Sequence, residues 1–305
     1  MRRLLVLSAL LAAQSFAADG WQKLPPMPEP SGGFVCGEEN GKVVVIGGTN
    51  WRNDVKHFLA SRHVFDPATM TWEKADSLPE PIAYAVSGVS DGKLVWAGGT
   101  NGAGSVRRGA AMPAEVIISA GGVIGDEIVF VGGTDDVADL AHLTRAAFAL
   151  NLKSGAVTKL PDFPGKSFGT AASAVIGDRL FVFGGVNWNG DVANTADAYA
   201  LSLGAREWRK LKPLPFAVRG LTGVALSDTR IYLAGGYKSD AEEFSDDALI
   251  YDTATDSYAP APRLPYRAMV GLVKCGEFLY CFGGEDRKKS RTDQCWRIRV
   301  AELLR

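Results

Sequence analysis

Six short apolar runs punctuate the chain, and each ends on a pair of glycines. They are Val43-Val44-Val45-Ile46, Leu94-Val95-Trp96-Ala97, Ile128-Val129-Phe130-Val131, Leu180-Phe181-Val182-Phe183, Ile231-Tyr232-Leu233-Ala234 and Leu279-Tyr280-Cys281-Phe282. The glycine pairs follow at 47-48, 98-99, 132-133, 184-185, 235-236 and 283-284, at intervals of 51, 34, 52, 51 and 48 residues. Runs this short, rich in β-branched and aromatic residues, read as strands. A second landmark follows most pairs: a small polar residue six positions before a larger one, as in Asp66 and Trp72, Asn151 and Val157, Ser202 and Trp208, Asp252 and Tyr258. The polar residue predicts a tight turn, and the later one the first large side chain of the next strand. Leu-Pro or Phe-Pro then closes the unit at Leu78-Pro79, Leu160-Pro161 and Phe163-Pro164, Leu214-Pro215 and Leu264-Pro265.

Each repeat therefore predicts four short antiparallel strands with a diglycine after the second. That period resembles the kelch repeat, and the predicted fold is an all-β, six-bladed kelch-repeat β-propeller around a central channel. After Gly284 there is room for one more strand, so the last blade lacks its fourth. Trp21-Gln22-Lys23-Leu24-Pro25 reads as the missing one, so the N-terminal strand is expected to complete the C-terminal blade and leave no exposed edge. Repeat two is irregular: its outer strands, within Asn101 to Pro113, must be short or missing, and Gly102, Gly104 and Gly109 suggest a loop. One propeller domain over residues 20–305 is expected.

Composition narrows the function classes. The chain is 47% apolar and 22% charged with a net charge of −1, which gives no field to draw nucleic acid or anionic lipid. Residues 1–17 read as a signal peptide: Arg2-Arg3, an apolar run from Leu4 to Ala13, and small residues before a cut after Ala17. The rest is expected to be exported, to the periplasm of a Gram-negative host, with no membrane span. Cys36, Cys275, Cys281 and Cys295 form no Cys-x-x-Cys pair, and only His57, His63 and His142 accompany them, so neither a metal site nor a cofactor is expected. Cys281 and Cys295 are placed on neighbouring strands, either as buried thiols or as a disulfide.

Three stretches resemble the kelch-type N-acetylneuraminate epimerases, also called sialic acid mutarotases. One is Gly283-Gly284-Glu285 followed by Arg291-Thr292-Asp293. The others are Ala83-Tyr84-Ala85-Val86-Ser87, and Phe163-Pro164-Gly165 running through to Phe181-Val182-Phe183-Gly184-Gly185. The Glu-bearing blade comes last here, so the chain resembles a circularly permuted branch, a shift that a closed ring tolerates. Phe168 stands where the resemblance leads one to expect a basic sugar-binding residue. The resemblance implies Glu285 as the proton acceptor and an acidic sugar as the partner.

Mutarotation needs a group to take the anomeric proton, a proton for the ring oxygen, and a rotation before reclosure. A desolvated carboxylate can supply the first two. Arg291 is the candidate for the substrate's carboxylate, or else for positioning Glu285. Arg219 and Arg267, at the start of innermost strands, are further candidates, and Tyr84 occupies the equivalent place in repeat two. Asn50 and Asn187, two residues beyond their diglycines, are candidates for sugar hydroxyls or the N-acetyl group. The competing reading is a non-catalytic exported propeller that binds a glycan or a protein.

Overall fold

Five of the six apolar runs are strands buried on both faces, which explains why they do not alternate with polar residues, while the run of repeat two is only partly buried. In repeat one Val43, Val44, Val45 and Ile46 are all buried. Val43 and Val45 pack with Phe65 and with Tyr280 of the last repeat, while Val44 and Ile46 pack with Ile82 and Leu94 of the next. The core is thus a series of layers between neighbouring sheets. The computed structural model describes residues 20–103 and 116–305.

Five four-stranded antiparallel sheets surround the channel. Repeat one comprises Val35–Glu39, Lys42–Ile46, Arg62–Asp66 and Thr71–Ala75. Repeats three, four and five follow the same order from innermost strands Ala120–Ile124, Ala172–Ile176 and Thr222–Ala225. The last sheet holds Met269–Cys275, Phe278–Glu285, Cys295–Arg299 and, as expected, the N-terminal strand Gln22–Lys23. Gln22 pairs with Arg297 and Lys23 with Trp296, and Trp21 beside them is wholly buried.

The expectation of six four-stranded blades is corrected to five complete ones. Repeat two shows a two-stranded sheet, Val86–Ser90 with Lys93–Ala97, among the described residues. Its shorter spacing to the next diglycine leaves less chain for outer strands. Part of the segment predicted to carry them, with Gly104 and Gly109, lies outside the described residues, as does the expected signal peptide.

Backbone hydrogen bonds tie every repeat to the next. The second glycine of each pair donates to a carbonyl beyond it: Gly48 to Ile82 (2.7 Å), Gly99 to Val116 (2.8 Å), Gly133 to Phe168 (2.7 Å), Gly185 to Val218 (2.8 Å), Gly236 to Ala268 (3.0 Å) and Gly284 to Ser31 (2.7 Å). The diglycine is required by shape: Gly283 and Gly284 have φ of 56° and 99°, and a Cβ on Gly284 would collide with the Met269 carbonyl. The landmark aromatics bond in the opposite direction. Trp72 Nε1 donates to the Pro25 carbonyl (3.1 Å), Trp208 Nε1 to the Pro161 carbonyl (2.8 Å) and the Tyr258 hydroxyl to the Lys212 carbonyl (2.7 Å), each reaching the segment that ends the preceding repeat.

Cys281 and Cys295 lie on adjacent paired strands, and all four cysteines are free thiols. Burial pushes Cys281 up to about 12. Among the described residues, no helix is long and apolar enough to cross a membrane.

Candidate functional site

One rule of the fold places the site. In five repeats the residue two before the innermost strand has a left-handed backbone: Gly33 (φ 69°), Tyr84 (60°), Ile118 (54°), Thr170 (50°) and Gly220 (64°). They are linked around the channel mouth, Tyr84 N donating to Gly33 O (2.7 Å), Ile118 N to Tyr84 O (3.2 Å), Thr170 N to Ile118 O (2.9 Å) and Gly220 N to Thr170 O (2.8 Å). The last repeat breaks the rule. Its innermost strand runs on from Met269, which pairs with Glu285, and its register shifts between Met269 and Gly271. Where repeat one has Thr49 bridging Gly32, and repeat two Thr100 bridging Ala83, the last repeat has Glu285.

This arrangement encloses a cavity of about 300 Å3 whose wall includes Tyr84, Ile118, Thr170, Met269, Glu285 and Arg291. The Glu285 side chain is 28% exposed and the Arg291 side chain 3%, and Arg291 Nη1 lies 3.0 Å from Glu285 Oε2. Arg291 Nη1 also donates to the Ser290 carbonyl (2.6 Å) and Nη2 to Thr49 Oγ1 (3.2 Å), while its buried Nε has no partner. Burial raises the Glu285 carboxyl above the ordinary carboxylate range, against the opposing charges of Arg291, Lys56 and Arg219. The terminal nitrogens of Arg291 are thus committed to holding Glu285 and the neighbouring repeat.

The structure brings Glu285, Arg291 and Tyr84 together on one wall and places the other candidates around or away from it. Arg219 stacks its guanidinium 4.3 Å over the Tyr237 ring and donates to Asn194 Oδ1 (3.1 Å), close enough to act on Glu285 by charge. Arg267 points outward, with its side chain 62% exposed and 3.9 Å from Asp246. Asn50 lines a separate cavity of about 210 Å3 on the other side of Arg291. Asn187 is buried in the hairpin Val186–Trp188 with Val192–Asn194, its Oδ1 unpartnered, away from the central cavity. Phe168 belongs to the core, its ring tilted against that of Phe163 with centroids 4.4 Å apart, so that station is not part of the site.

Lys56 is the residue that sequence reasoning missed. It comes from the hairpin Thr49–Arg52 with Val55–Phe58, whose turn residues Asn53 and Asp54 have φ of 51° and 59°. An Asn-Asp pair in that conformation is a tight hairpin signal, and it folds Lys56 back opposite Trp51. The Lys56 ammonium stands 5.7 Å from the Trp51 ring and 5.3 Å from the Tyr84 ring. Among the described residues, no group of three or more His, Cys, Asp or Glu side chains could hold a metal ion.

The Kelch motif matches residues 168–215 and 219–265. Kelch-like protein 22 of Mus musculus is 33% identical over 105 residues, 33% of this chain but only 16% of that protein. A Kelch domain-containing protein of Vibrio cholerae is 32% identical over 109 residues, 34% of this chain and 31% of its own length. N-acetylneuraminate epimerase of Salmonella typhi is 25% identical over 175 residues, 46% of each. This chain therefore spans less than half of each of these relatives. The solved structure of YjhT superimposes with a TM-score of 0.72 at 16% identity, over 89% of this chain and 95% of that one. With the motif matched in two repeats and the diglycine geometry recurring in the others, the chain is a kelch-repeat β-propeller.

Proposed function

We propose that this protein is a sugar isomerase that interconverts the anomers of N-acetylneuraminic acid or a related acidic sugar. The observation that carries the reading is Glu285: a partly buried carboxylate, pushed upward by desolvation, on the wall of a channel cavity and gripped by a buried arginine. A base poised nearer neutrality serves proton abstraction better than an ordinary surface carboxylate. The cavity, about 300 Å3, is at the small end of the range for small-molecule sites. The partial likeness to an N-acetylneuraminate epimerase supports the same chemistry.

In this reading Glu285 takes the proton of the anomeric hydroxyl as the ring opens and returns one after rotation. Arg291 holds the carboxylate in place. Because its terminal nitrogens are engaged, the substrate's own carboxylate falls to Lys56 and Arg219, whose charges already reach Glu285.

The test is proton NMR of freshly released N-acetylneuraminic acid, at a pH where spontaneous anomer exchange is slow, with wild type and Glu285→Gln. Wild type should accelerate equilibration, and the variant should lose about 100-fold or more. Equal rates with and without wild-type protein would discard the isomerase. That outcome would favour a binding platform, the role compatible with a Glu285–Arg291 pair that serves structure alone.

A further inference from the structure

We propose that Tyr84, held by Lys56, is the second catalytic residue of this site and donates the proton that the sugar's ring oxygen takes up as the ring opens. The inference rests on the isomerase reading above and adds to it the group that acts opposite Glu285.

Ring opening moves two protons at two different oxygens: one leaves the anomeric hydroxyl and one arrives at the ring oxygen. A single carboxylate fixed by a buried arginine reaches one of them well. The titratable groups lining the cavity are Glu285, Arg291, Cys36 and Tyr84, while Lys56 and Arg219, near enough to act on Glu285 by charge, are taken up by the substrate's carboxylate. Arginine does not release its proton, and burial pushes the Cys36 thiol up to about 12, making it a poorer acid than an ordinary thiol. Tyr84 remains.

Its placement is specific. The left-handed backbone at Tyr84 lays the ring across Gly33, where any Cβ would strike it. Ile118 and Thr170 share that backbone, so the conformation belongs to the fold and the aromatic ring is what Tyr84 adds. The phenol oxygen lies 3.4 Å from Thr49 Oγ1, which lies 3.2 Å from Arg291 Nη2, whose Nη1 lies 3.0 Å from Glu285. One guanidinium thus fixes the carboxylate directly and the phenol through a single hydroxyl.

The charged groups facing the phenol are Lys56, from the repeat-one hairpin, and Arg291, from the last repeat. Burial alone would raise Tyr84, but the Lys56 charge, the Thr49 hydrogen bond and the Arg291 charge outweigh it and hold the phenol below its usual value. Glu285, beside them, is shifted the opposite way. A carboxyl raised and a phenol lowered both move toward the working pH, where proton transfer by a positioned side chain is most efficient.

The proton inventory closes. Glu285 carboxylate takes the anomeric hydroxyl proton while the bond from the anomeric carbon to the ring oxygen breaks, leaving a carbonyl. The departing ring oxygen takes the phenol proton, leaving a hydroxyl on the open chain and a Tyr84 phenolate beside the Lys56 ammonium. After rotation the hydroxyl returns its proton to the phenolate as its oxygen attacks the other carbonyl face, and the carbonyl oxygen recovers the proton from Glu285. No oxidant or co-reactant is needed.

The experiment compares wild type, Tyr84→Phe and Lys56→Met in the anomer-exchange assay across pH, and titrates the phenol by ultraviolet difference spectroscopy of wild type against Tyr84→Phe. Tyr84→Phe should slow exchange by about 100-fold or more while still shifting the sugar's NMR signals on binding. Lys56→Met should move the alkaline limb of the rate profile to higher pH, because the phenol loses the charge that favours its ionised form. The difference spectrum should show a phenol ionising below free tyrosine and moving up in Lys56→Met. Exchange in Tyr84→Phe within about threefold of wild type, short of what a general acid contributes, would overturn the proposal. So would a phenol that titrates at or above free tyrosine, whatever the activity. Wild type inert toward acidic sugars, with the low phenol titration intact, would instead remove the isomerase reading and this role with it.

Discussion

Replacing Arg291 with methionine separates a working ion pair from a decorative one. The substitution keeps most of the buried stem and removes a guanidinium that is 3% exposed and 3.0 Å from Glu285. Two unit charges at that separation attract by roughly 5 kcal/mol in a surround of effective dielectric about 20. The Glu285 side chain is 28% exposed and keeps Lys56 and Arg219 nearby. Solvent and those charges reduce the net loss to about 3 kcal/mol while Glu285 is ionised. The cost must depend on pH. Glu285 is already raised in the folded protein, so the stability linked to its protonated form is full below the ordinary carboxylate range and lost as pH rises through the folded value. Removing Arg291 raises that folded value further, so the loss runs on to higher pH. Urea denaturation of both proteins at pH 5 and pH 8 should therefore show a smaller deficit at pH 5 than at pH 8. A deficit equal at both pH values, or larger in acid, would refute the coupling and with it the idea that Arg291 positions Glu285.

Two other substitutions probe the frame. Gly284→Ala puts a Cβ against the Met269 carbonyl at a φ of 99°, and should cost about 2–4 kcal/mol and abolish anomer exchange by displacing Glu285, read by thermal unfolding and NMR. Trp21→Ala empties a wholly buried site packed in one cluster with Leu279 and Ile298, and breaks the Nε1 hydrogen bond to Arg263 O (2.7 Å). It should cost about 3–5 kcal/mol, with faster amide exchange along Phe278–Glu285.

The ring was legible because its rules are local and repeated. The diglycines, the turn at Asp66 and the orphan strand at Trp21 each answer to a backbone or packing need that recurs in the structure. The site was half legible. Glu285 and Arg291 lie on one segment, and their pairing follows from the strand that ends at Glu285 and the loop that returns. Arg267 was misleading, because the left-handed station shared by five repeats is absent from the sixth and its innermost strand starts differently. Asn187 shares the position of Asn50 after the diglycine, and the outer hairpin of each repeat keeps both residues off the central cavity. Lys56 was missed because it arrives across a hairpin turn, through a pairing that strand spacing alone does not reveal.

The sheet that bears Glu285 is completed by residues from the opposite end of the chain, Gln22 and Lys23. During synthesis those residues emerge before the five intervening repeats and wait, unpaired, while these are made. The last sheet gains its outermost strand only when Cys295–Arg299 has emerged. A nascent or truncated chain can assemble several repeats and still have no working site. Of the six repeats, the one that bears Glu285 is the last to be completed.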